Sequence, residues 1–182
     1  MPKKILLSQK EISIILHRLA CQLIENHSDF TDTVLIGLQP RGVFFAKRLI
    51  AILVNDYKVK NLKYGQLDIT FYRDDFRRRE EPIQANETKI DFIIENKKVV
   101  LIDDVLFSGR SIRAALTALQ AFGRPKKIEL LVFIDRRFSR SLPIQPTYKG
   151  RQVDAINSEK VKVVWDEDNK KDIVYLVNTK EK

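Results

Sequence analysis

Residues 99–111 read Val99-Val100-Leu101-Ile102-Asp103-Asp104-Val105-Leu106-Phe107-Ser108-Gly109-Arg110-Ser111. The four apolar residues that open this stretch follow a polar Glu-Asn-Lys-Lys run, which predicts a strand covered on both faces, as in a parallel sheet. Asp103 and Asp104 then fall at the carboxyl end of the strand, the edge at which open α/β sheets bind ligands. The stretch therefore predicts an α/β fold with a ligand site at these two acids.

The second half of the stretch predicts a site for an anion. Gly109 permits a tight turn into a helix, and the free N–H groups at a helix start favour a negative charge. Ser108 and Ser111 add hydroxyl donors, while the two carboxylates can accept hydrogen bonds from vicinal hydroxyls or hold a metal-bound water. A ribose 5-phosphate fits these demands. The alternative is a solvated Asp-Asp turn before an ordinary helix, which the preceding strand and the Ser-Ile-Arg-Ala-Ala-Leu pattern of residues 111–116 disfavour.

A second candidate loop lies at residues 37–42, Gly-Leu-Gln-Pro-Arg-Gly. It follows an apolar strand at 33–38 and precedes a helix whose predicted buried residues are Val43, Phe44, Ala46, Leu49, Ile50 and Leu53. Its backbone could hold a pyrophosphate, with Arg41 supplying charge-assisted donors, although Pro40 removes one N–H and restricts Gln39. A purely structural turn is the alternative.

The remaining pattern alternates strands and helices, which predicts a mostly parallel central sheet flanked by helices. A capping box at Ser8 to Glu11 opens a helix that ends near residues 25–28, and another helix runs from the 107–111 turn through Phe122. Further strands are predicted at 67–72, 128–134, 161–165 and 173–177. Residues 73–88 are polar and irregular, which is typical of a lid or of disorder.

Composition narrows the class of protein. The 182 residues, 44% of them hydrophobic, predict one domain over residues 1–182. No apolar run approaches the about 20 residues of a membrane span and the start lacks a signal-peptide core, so we expect a cytoplasmic protein without membrane association. The single cysteine, Cys21, is expected to be a packed residue and not a catalytic thiol. A net charge of +9 favours an anionic partner.

Residues 99–111 resemble the phosphoribosyl pyrophosphate (PRPP) signature of type I phosphoribosyltransferases, and their Asp-Asp-Val-Leu-Phe-Ser-Gly-Arg-Ser form is similar to the PyrR branch. Further matches follow in family order at residues 37–42, 68–75, 123–125, 135–136, 142–144, 148–150 and 158–161. The resemblance implies the type I phosphoribosyltransferase fold, with a small hood and a flexible loop at about residues 73–90.

This resemblance implies a magnesium-dependent uracil phosphoribosyltransferase that converts PRPP and uracil to UMP and pyrophosphate. Asp103 and Asp104 are expected to bind the ribose hydroxyls and to contact Mg²⁺ through water and PRPP. Together with Arg41 and Arg73 of the mobile loop they form the predicted catalytic set. The predicted PRPP contacts are Gln39, Pro40, Arg41, Gly42, Asp103, Asp104, Val105, Leu106, Phe107, Ser108, Gly109, Arg110 and Ser111.

The resemblance also suggests the base. Purine enzymes of this class commonly have Asp at the position of Phe107, whereas PyrR proteins tend to have an aromatic residue there, which favours uracil. The predicted base pocket comprises Phe107, Ile134, Asp135 and Arg136.

Members of the PyrR branch regulate pyrimidine operons by binding the messenger-RNA leader. Here the corresponding face departs from the family pattern, with Cys21 and Asn26 at positions associated with His and Arg. The predicted RNA contacts are His17, Arg18, Arg136, Arg140 and Arg151. The alternative function is therefore an RNA-binding attenuator that senses UMP or UTP and has weak catalysis, and a homodimer or larger homo-oligomer is expected in either case.

Overall fold

A computed structural model of the chain describes residues 3–74, 85–155, 159–166 and 171–178. In chain order the elements are β1 (Lys3–Leu7), α1 (Gln9–His27), β2 (Thr33–Leu38), α2 (Arg41–Asn55), β3 (Lys63–Leu67), β4 (Lys98–Leu106), α3 (Arg110–Leu119), β5 (Lys127–Arg136), β6 (Tyr148–Val153), β7 (Glu159–Val164) and β8 (Ile173–Asn178). Short 3₁₀ turns lie at Thr70–Tyr72 and Gln120–Phe122. No helix among these described residues is long and apolar enough to cross a membrane.

The larger sheet has the strand order β3-β2-β4-β5-β6, and every neighbouring pair is parallel. β4 lies at the centre, and its residues Val99–Ile102 are fully buried, as the apolar run predicts. The carboxyl ends of β2, β4 and β5 therefore meet at one edge. This arrangement confirms the predicted α/β fold with a mostly parallel sheet.

Helices cover the larger sheet on both faces. α1 and α2 pack on one face, where the rings of Phe45 and Phe133 lie 5.3 Å apart. α3 packs on the other face through Ile112, Ala115 and Leu119. Because side chains alternate along a strand, Val100 and Ile102 face the first cluster while Val99 and Leu101 face the second.

The smaller sheet is antiparallel, with the order β1-β8-β7, and it forms the predicted hood. Val161 and Val163 point into the core while Lys160 and Lys162 are exposed, the alternation of a sheet with one buried face. Arg48 of α2 anchors the hood: its guanidinium lies 5.3 Å from the Trp165 ring centroid and its Nε donates to Asp172 Oδ2 at 2.5 Å.

Several sequence predictions of local structure were wrong or incomplete. The strand predicted at 67–72 is β3 at 63–67, because Asp68 accepts hydrogen bonds from the backbone N–H (3.0 Å) and the hydroxyl (2.6 Å) of Thr70 and turns the chain into a 3₁₀ turn. Phe45, not Phe44, is the fully buried ring of α2. β1 and β6 were not predicted, β4 and β5 are longer than expected, and residues 75–84 of the predicted flexible loop lie outside the described residues.

Candidate active site

Strand β4 positions the two acids at the centre of the carboxyl edge. The strand continues through both acids to Leu106. The acids therefore lie inside the last part of the strand, whereas the sequence predicted that they lie at its carboxyl end. Asp104 is 5% exposed and accepts a hydrogen bond from Arg41 Nε at 2.8 Å. Its own backbone N–H donates to Asp103 Oδ1 at 2.9 Å. Consecutive strand residues face opposite sides, so the two carboxylates open into different cavities.

Burial makes both carboxyl groups harder to ionise. Desolvation, reinforced by the neighbouring Asp104, raises the pKa of the Asp103 carboxyl. Desolvation also raises the pKa of Asp104, and the adjacent Arg41 guanidinium opposes that rise. The ionised pair is therefore a site that hydroxyl donors or a cation would stabilise. The described residues contain no cluster of three or more His, Cys, Asp or Glu side chains that could hold a metal without other ligands.

The first cavity, of about 240 Å³, lies above the turn between β4 and α3. Gly109 has φ of +90°, and its carbonyl accepts the N–H of Arg113 at 3.0 Å in the first turn of α3. Arg73 reaches over the turn and donates to Ser111 Oγ at 3.4 Å. The lining residues are Arg73, Asp74, Asp103, Val105, Leu106, Phe107, Ser108, Gly109, Arg110, Ser111 and Ile112. The predicted phosphate turn therefore borders a real cavity that also contains Asp103.

The second cavity, of about 360 Å³, lies between the carboxyl edge and the hood. It is lined by Arg41, Asp104, Val105, Phe107, Arg136, Glu159, Lys160 and Val161. The Arg136 guanidinium lies 4.2 Å from the centroid of the Phe107 ring and donates to the Glu159 carbonyl at 2.9 Å. Sequence reasoning did not assign Glu159, Lys160 and Val161 to a site, although their match to the family pattern at 158–161 was the available signal.

Arg41, the first residue of α2, contacts Asp104 and the hood. Besides binding Asp104, Arg41 donates through Nη2 to the Val163 carbonyl at 2.5 Å. Helix α2 can approach β4 so closely because of Gly42, where a Cβ atom would lie 2.4 Å from the carbonyl oxygen of Ile102. The Gln39–Pro40 peptide bond is cis, and the Gln39 side chain donates to the Glu87 carbonyl at 2.6 Å.

Asp68 joins the two described ends of the predicted mobile loop. In addition to its bonds with Thr70, its carboxylate accepts the backbone N–H of Asn86 at 2.9 Å, and its own N–H donates to Thr88 Oγ1 at 3.0 Å. Asp74 accepts a hydrogen bond from Arg113 of α3 at 2.8 Å. These bonds hold the start of the loop against α3, which is how Arg73 reaches the first cavity. Arg77, Arg78 and Arg79 of the same loop lie outside the described residues.

The four residues predicted for the base pocket do not all reach the second cavity. Phe107 and Arg136 line it. Ile134 is fully buried in the core, and Asp135 is 6% exposed and bonded to Arg140. Because β5 extends to Arg136, the residues before Arg136 are still covered by the sheet and its helices.

The residues predicted for RNA binding lie at three places. Arg18 and Arg151 both lie where α1 packs against β6: Arg18 donates to two β6 carbonyls, and Arg151 lies 3.5 Å from an α1 glutamate. His17 lies 3.8 Å from an aspartate at the end of α2. Arg136 lines the second cavity, and Arg140 is used in internal hydrogen bonds.

Comparison with known proteins connects this geometry to one family. The sequence profile of the phosphoribosyl transferase domain matches residues 3–168. The chain is 42% identical over 174 residues to the bifunctional protein PyrR of Clostridium novyi, covering 96% of this chain and 97% of that protein. It is 47% identical over 152 residues to the bifunctional protein PyrR of Caldicellulosiruptor bescii, covering 82% and 81%.

Solved structures support the fold. The hypoxanthine-guanine phosphoribosyltransferase hpt-2 of Bacillus anthracis superposes with a TM-score of 0.70 at 18% identity, covering 97% of this chain and all (100%) of that one. The hypoxanthine phosphoribosyltransferase of Trypanosoma cruzi also gives a TM-score of 0.70, at 19% identity, covering 96% and 97%. At such low identity the likeness extends to the fold and not to the choice of base.

Proposed function

Because the chain belongs to the PyrR family of type I phosphoribosyltransferases, we propose that it transfers ribose 5-phosphate from PRPP to uracil, giving UMP and pyrophosphate. The observation that carries the proposal is the pair of cavities on either side of β4, one at the anion-binding turn and one under the hood. Asp103 lines the first, Asp104 lines the second, and Phe107 lines both. We propose that a sugar phosphate in the first cavity has its reacting carbon toward the second, where Phe107 borders both.

The turn at 107–111 suits the 5-phosphate. Its hydroxyls, its backbone N–H groups and the start of α3 present donors to an anion, and the helix dipole adds to their effect. Asp103, at the floor of the same cavity, can accept hydrogen bonds from the ribose hydroxyls. Those donors would offset the cost of ionising a buried carboxyl.

The transfer breaks the bond between the ribose anomeric carbon and the pyrophosphate oxygen, and a uracil nitrogen forms the new bond to that carbon. Negative charge grows on the pyrophosphate, and Arg41 and Arg73 are the cations placed at the two cavities to stabilise it. Positive charge grows on the ribose ring, and the negative carboxylates of Asp103 and Asp104 stabilise it. The proton lost by uracil passes to the departing pyrophosphate or to solvent.

Magnesium fits this donor set. Asp103 and Asp104 line different cavities, so each offers one carboxylate. One or two carboxylates completed by phosphates and water match the preference of Mg²⁺. Asp103 and Asp104 are the residues that would hold it. When bound, the metal neutralises charge on pyrophosphate.

The second cavity suits a base bounded by a ring and a guanidinium. Phe107 and Arg136 form one wall, Val161 of the hood forms an apolar surface, and Lys160 supplies a donor for a carbonyl oxygen of the base. Phe107 stands where purine enzymes of this class commonly have an acid, which favours uracil.

The test is to incubate the purified protein with Mg²⁺, PRPP and, separately, uracil, hypoxanthine, guanine, adenine or orotate, and to identify nucleotides by chromatography. UMP alone is expected. An Asp104→Asn variant serves as the inactive control, and Asp154→Asn, an exposed carboxylate in a surface pair with Arg137, as the matched active one. IMP or GMP would overturn the choice of base, and no product with any base would overturn the proposal.

A second function, binding of a pyrimidine-operon leader RNA, is favoured by the net charge of +9 and by Arg18 and Arg151, which both lie where α1 meets β6. Fluorescence anisotropy with leader RNA should show salt-sensitive binding that UMP or UTP strengthens. Arg151→Gln should weaken binding and reduce its salt dependence by about one counterion. Equal affinity for scrambled RNA would refute sequence-specific regulation.

A further inference from the structure

The loop after β5 packs against the phosphate turn. The backbone N–H of Ser141 donates to the Ser108 carbonyl at 3.0 Å. On the same side, a Cβ atom at Gly109 would lie 3.2 Å from Cδ1 of Ile144. The turn that is proposed to hold the 5-phosphate is therefore supported by a segment remote in sequence.

Arg140 makes most of the hydrogen bonds that join this segment to the turn. Its Nη1 group donates to the carbonyl oxygens of Leu106 (3.1 Å) and Phe107, and to that of Arg136 (3.2 Å). Its Nε donates to the Ile144 carbonyl at 3.0 Å. Its Nη2 group binds the Asp135 carboxylate, and the two side chains are only 20% and 8% exposed.

These contacts join three elements at one guanidinium. Leu106 and Phe107 end β4 and begin the phosphate turn, Asp135 and Arg136 end β5, and Ile144 belongs to the loop beyond. Arginine can do this because it presents several N–H donors in a rigid plane, whereas lysine offers a point charge on a flexible stem. Charge-assisted bonds in a desolvated setting are also stronger and more directional than neutral ones.

We propose that Arg140, held by Asp135, is a positioning residue for phosphoribosyl transfer. It fixes the end of β4 and Phe107, so that the turn at 107–111 and the wall of the second cavity keep their relative positions. This inference rests on the proposed function, since it assigns sugar phosphate and base to the two cavities that meet at Phe107. It also gives Arg140 a task other than contacting RNA.

The test compares Arg140→Lys, Arg140→Gln and Asp135→Asn with wild type by steady-state kinetics and by calorimetric titration with PRPP. We expect the KM and Kd for PRPP to rise about tenfold to hundredfold in Arg140→Gln, because a displacement of about 1 Å at a binding group can cost that much. The lysine variant should fall between wild type and glutamine. The kcat should change less than KM, because ground-state and transition-state binding of the phosphate weaken together.

Arg137→Gln is the matched control. Arg137 lies in the same segment, but its partner Asp154 is 3.1 Å away in a pair whose side chains are about half exposed (52% and 56%). The KM of the Arg137→Gln variant for PRPP should equal that of wild type. A purely structural role for Arg140 predicts a lower kcat through a smaller folded fraction with KM unchanged, and thermal melts measure that fraction. In Arg140→Ala, millimolar ethylguanidinium should lower the KM for PRPP again.

The outcomes separate the inference from the proposed function. A wild-type protein that neither binds PRPP nor forms UMP overturns the proposed function. An active wild type with an unchanged KM in Arg140→Gln overturns only the role of Arg140. If the glutamine variant does not fold, a lysine variant with wild-type KM overturns the inference, and a raised KM in the folded lysine variant supports it.

Discussion

Replacing Asp172 by Asn should loosen the hood. The Asp172 carboxylate accepts hydrogen bonds from Arg48 Nε at 2.5 Å, from Arg48 Nη2 at 2.8 Å and from the Asp166 backbone N–H at 3.0 Å. Its side chain is only 6% exposed. Removing one charge of a buried pair costs about 3–5 kcal/mol. Asparagine keeps one oxygen acceptor, so we expect the lower end, about 3 kcal/mol. For a chain of this size, that corresponds to a fall in Tm of about 6–12 °C.

The assay is urea denaturation of wild type, Asp172→Asn and Asp154→Asn, with Tm measured in parallel. The exposed Asp154 pair should contribute less than about 1 kcal/mol. Because β7 supplies part of the second cavity and the Val163 carbonyl that Arg41 binds, the KM for uracil should also rise in Asp172→Asn. Equal midpoints for the two variants would refute the anchoring role of the Arg48–Asp172 pair.

Three further predictions concern the site and the amino ends of the strands in the larger sheet. Asp104→Asn should reduce kcat/KM at least about a hundredfold in the UMP assay while Tm changes little, and a reduction under threefold would contradict its role. Gly42→Ala should destabilise the protein by about 1–3 kcal/mol in urea, because the added Cβ would lie 2.4 Å from the Ile102 carbonyl oxygen, and a neutral effect would contradict the close approach of α2 to β4. His27→Gln should flatten the loss of stability of wild type between about pH 7 and pH 5, measured by urea unfolding.

The sign of the His27 effect follows from its environment. Burial lowers the pKa of His27 below its ordinary value, although the Glu129 carboxylate 3.1 Å away opposes this. As pH falls through the ordinary histidine pKa, the unfolded chain takes up a proton before the folded one does, so folding becomes less favourable. Loss of stability with rising pH in that window would contradict this account.

The site prediction rests on residues that are continuous in the chain. Residues 99–111 carry their own context, a buried strand, two acids and a helix entry, and each signal depends only on neighbours. Arg41 was likewise predicted because its loop lies between a strand and a helix. These short-range patterns also predicted β2, α1 and the alternation of strands and helices.

The parts that could not be predicted depend on contacts between distant residues. Lys160 and Val161 reach the second cavity because the hood folds back over the carboxyl edge, and apart from the family match at 158–161 their sequence gives no sign of a site. Asp135, which was predicted to be a base-pocket residue, is 6% exposed and bonded to Arg140, a contact that the sequence does not indicate. β6 is an edge strand whose buried and exposed residues do not alternate regularly. Its sequence therefore lacks the two-residue period from which a strand is predicted.

Arg41 shows why the hood and the acid pair act as one site. Its Nε holds Asp104 and its Nη2 holds the Val163 carbonyl, while its side chain remains 47% exposed at the second cavity. A guanidinium has five N–H donors, so these two bonds leave donors that a pyrophosphate in the cavity can use. An anion bound there would contact the same group that fixes both Asp104 and β7. We therefore expect substrate binding and the position of the hood to be coupled through the Arg41 side chain.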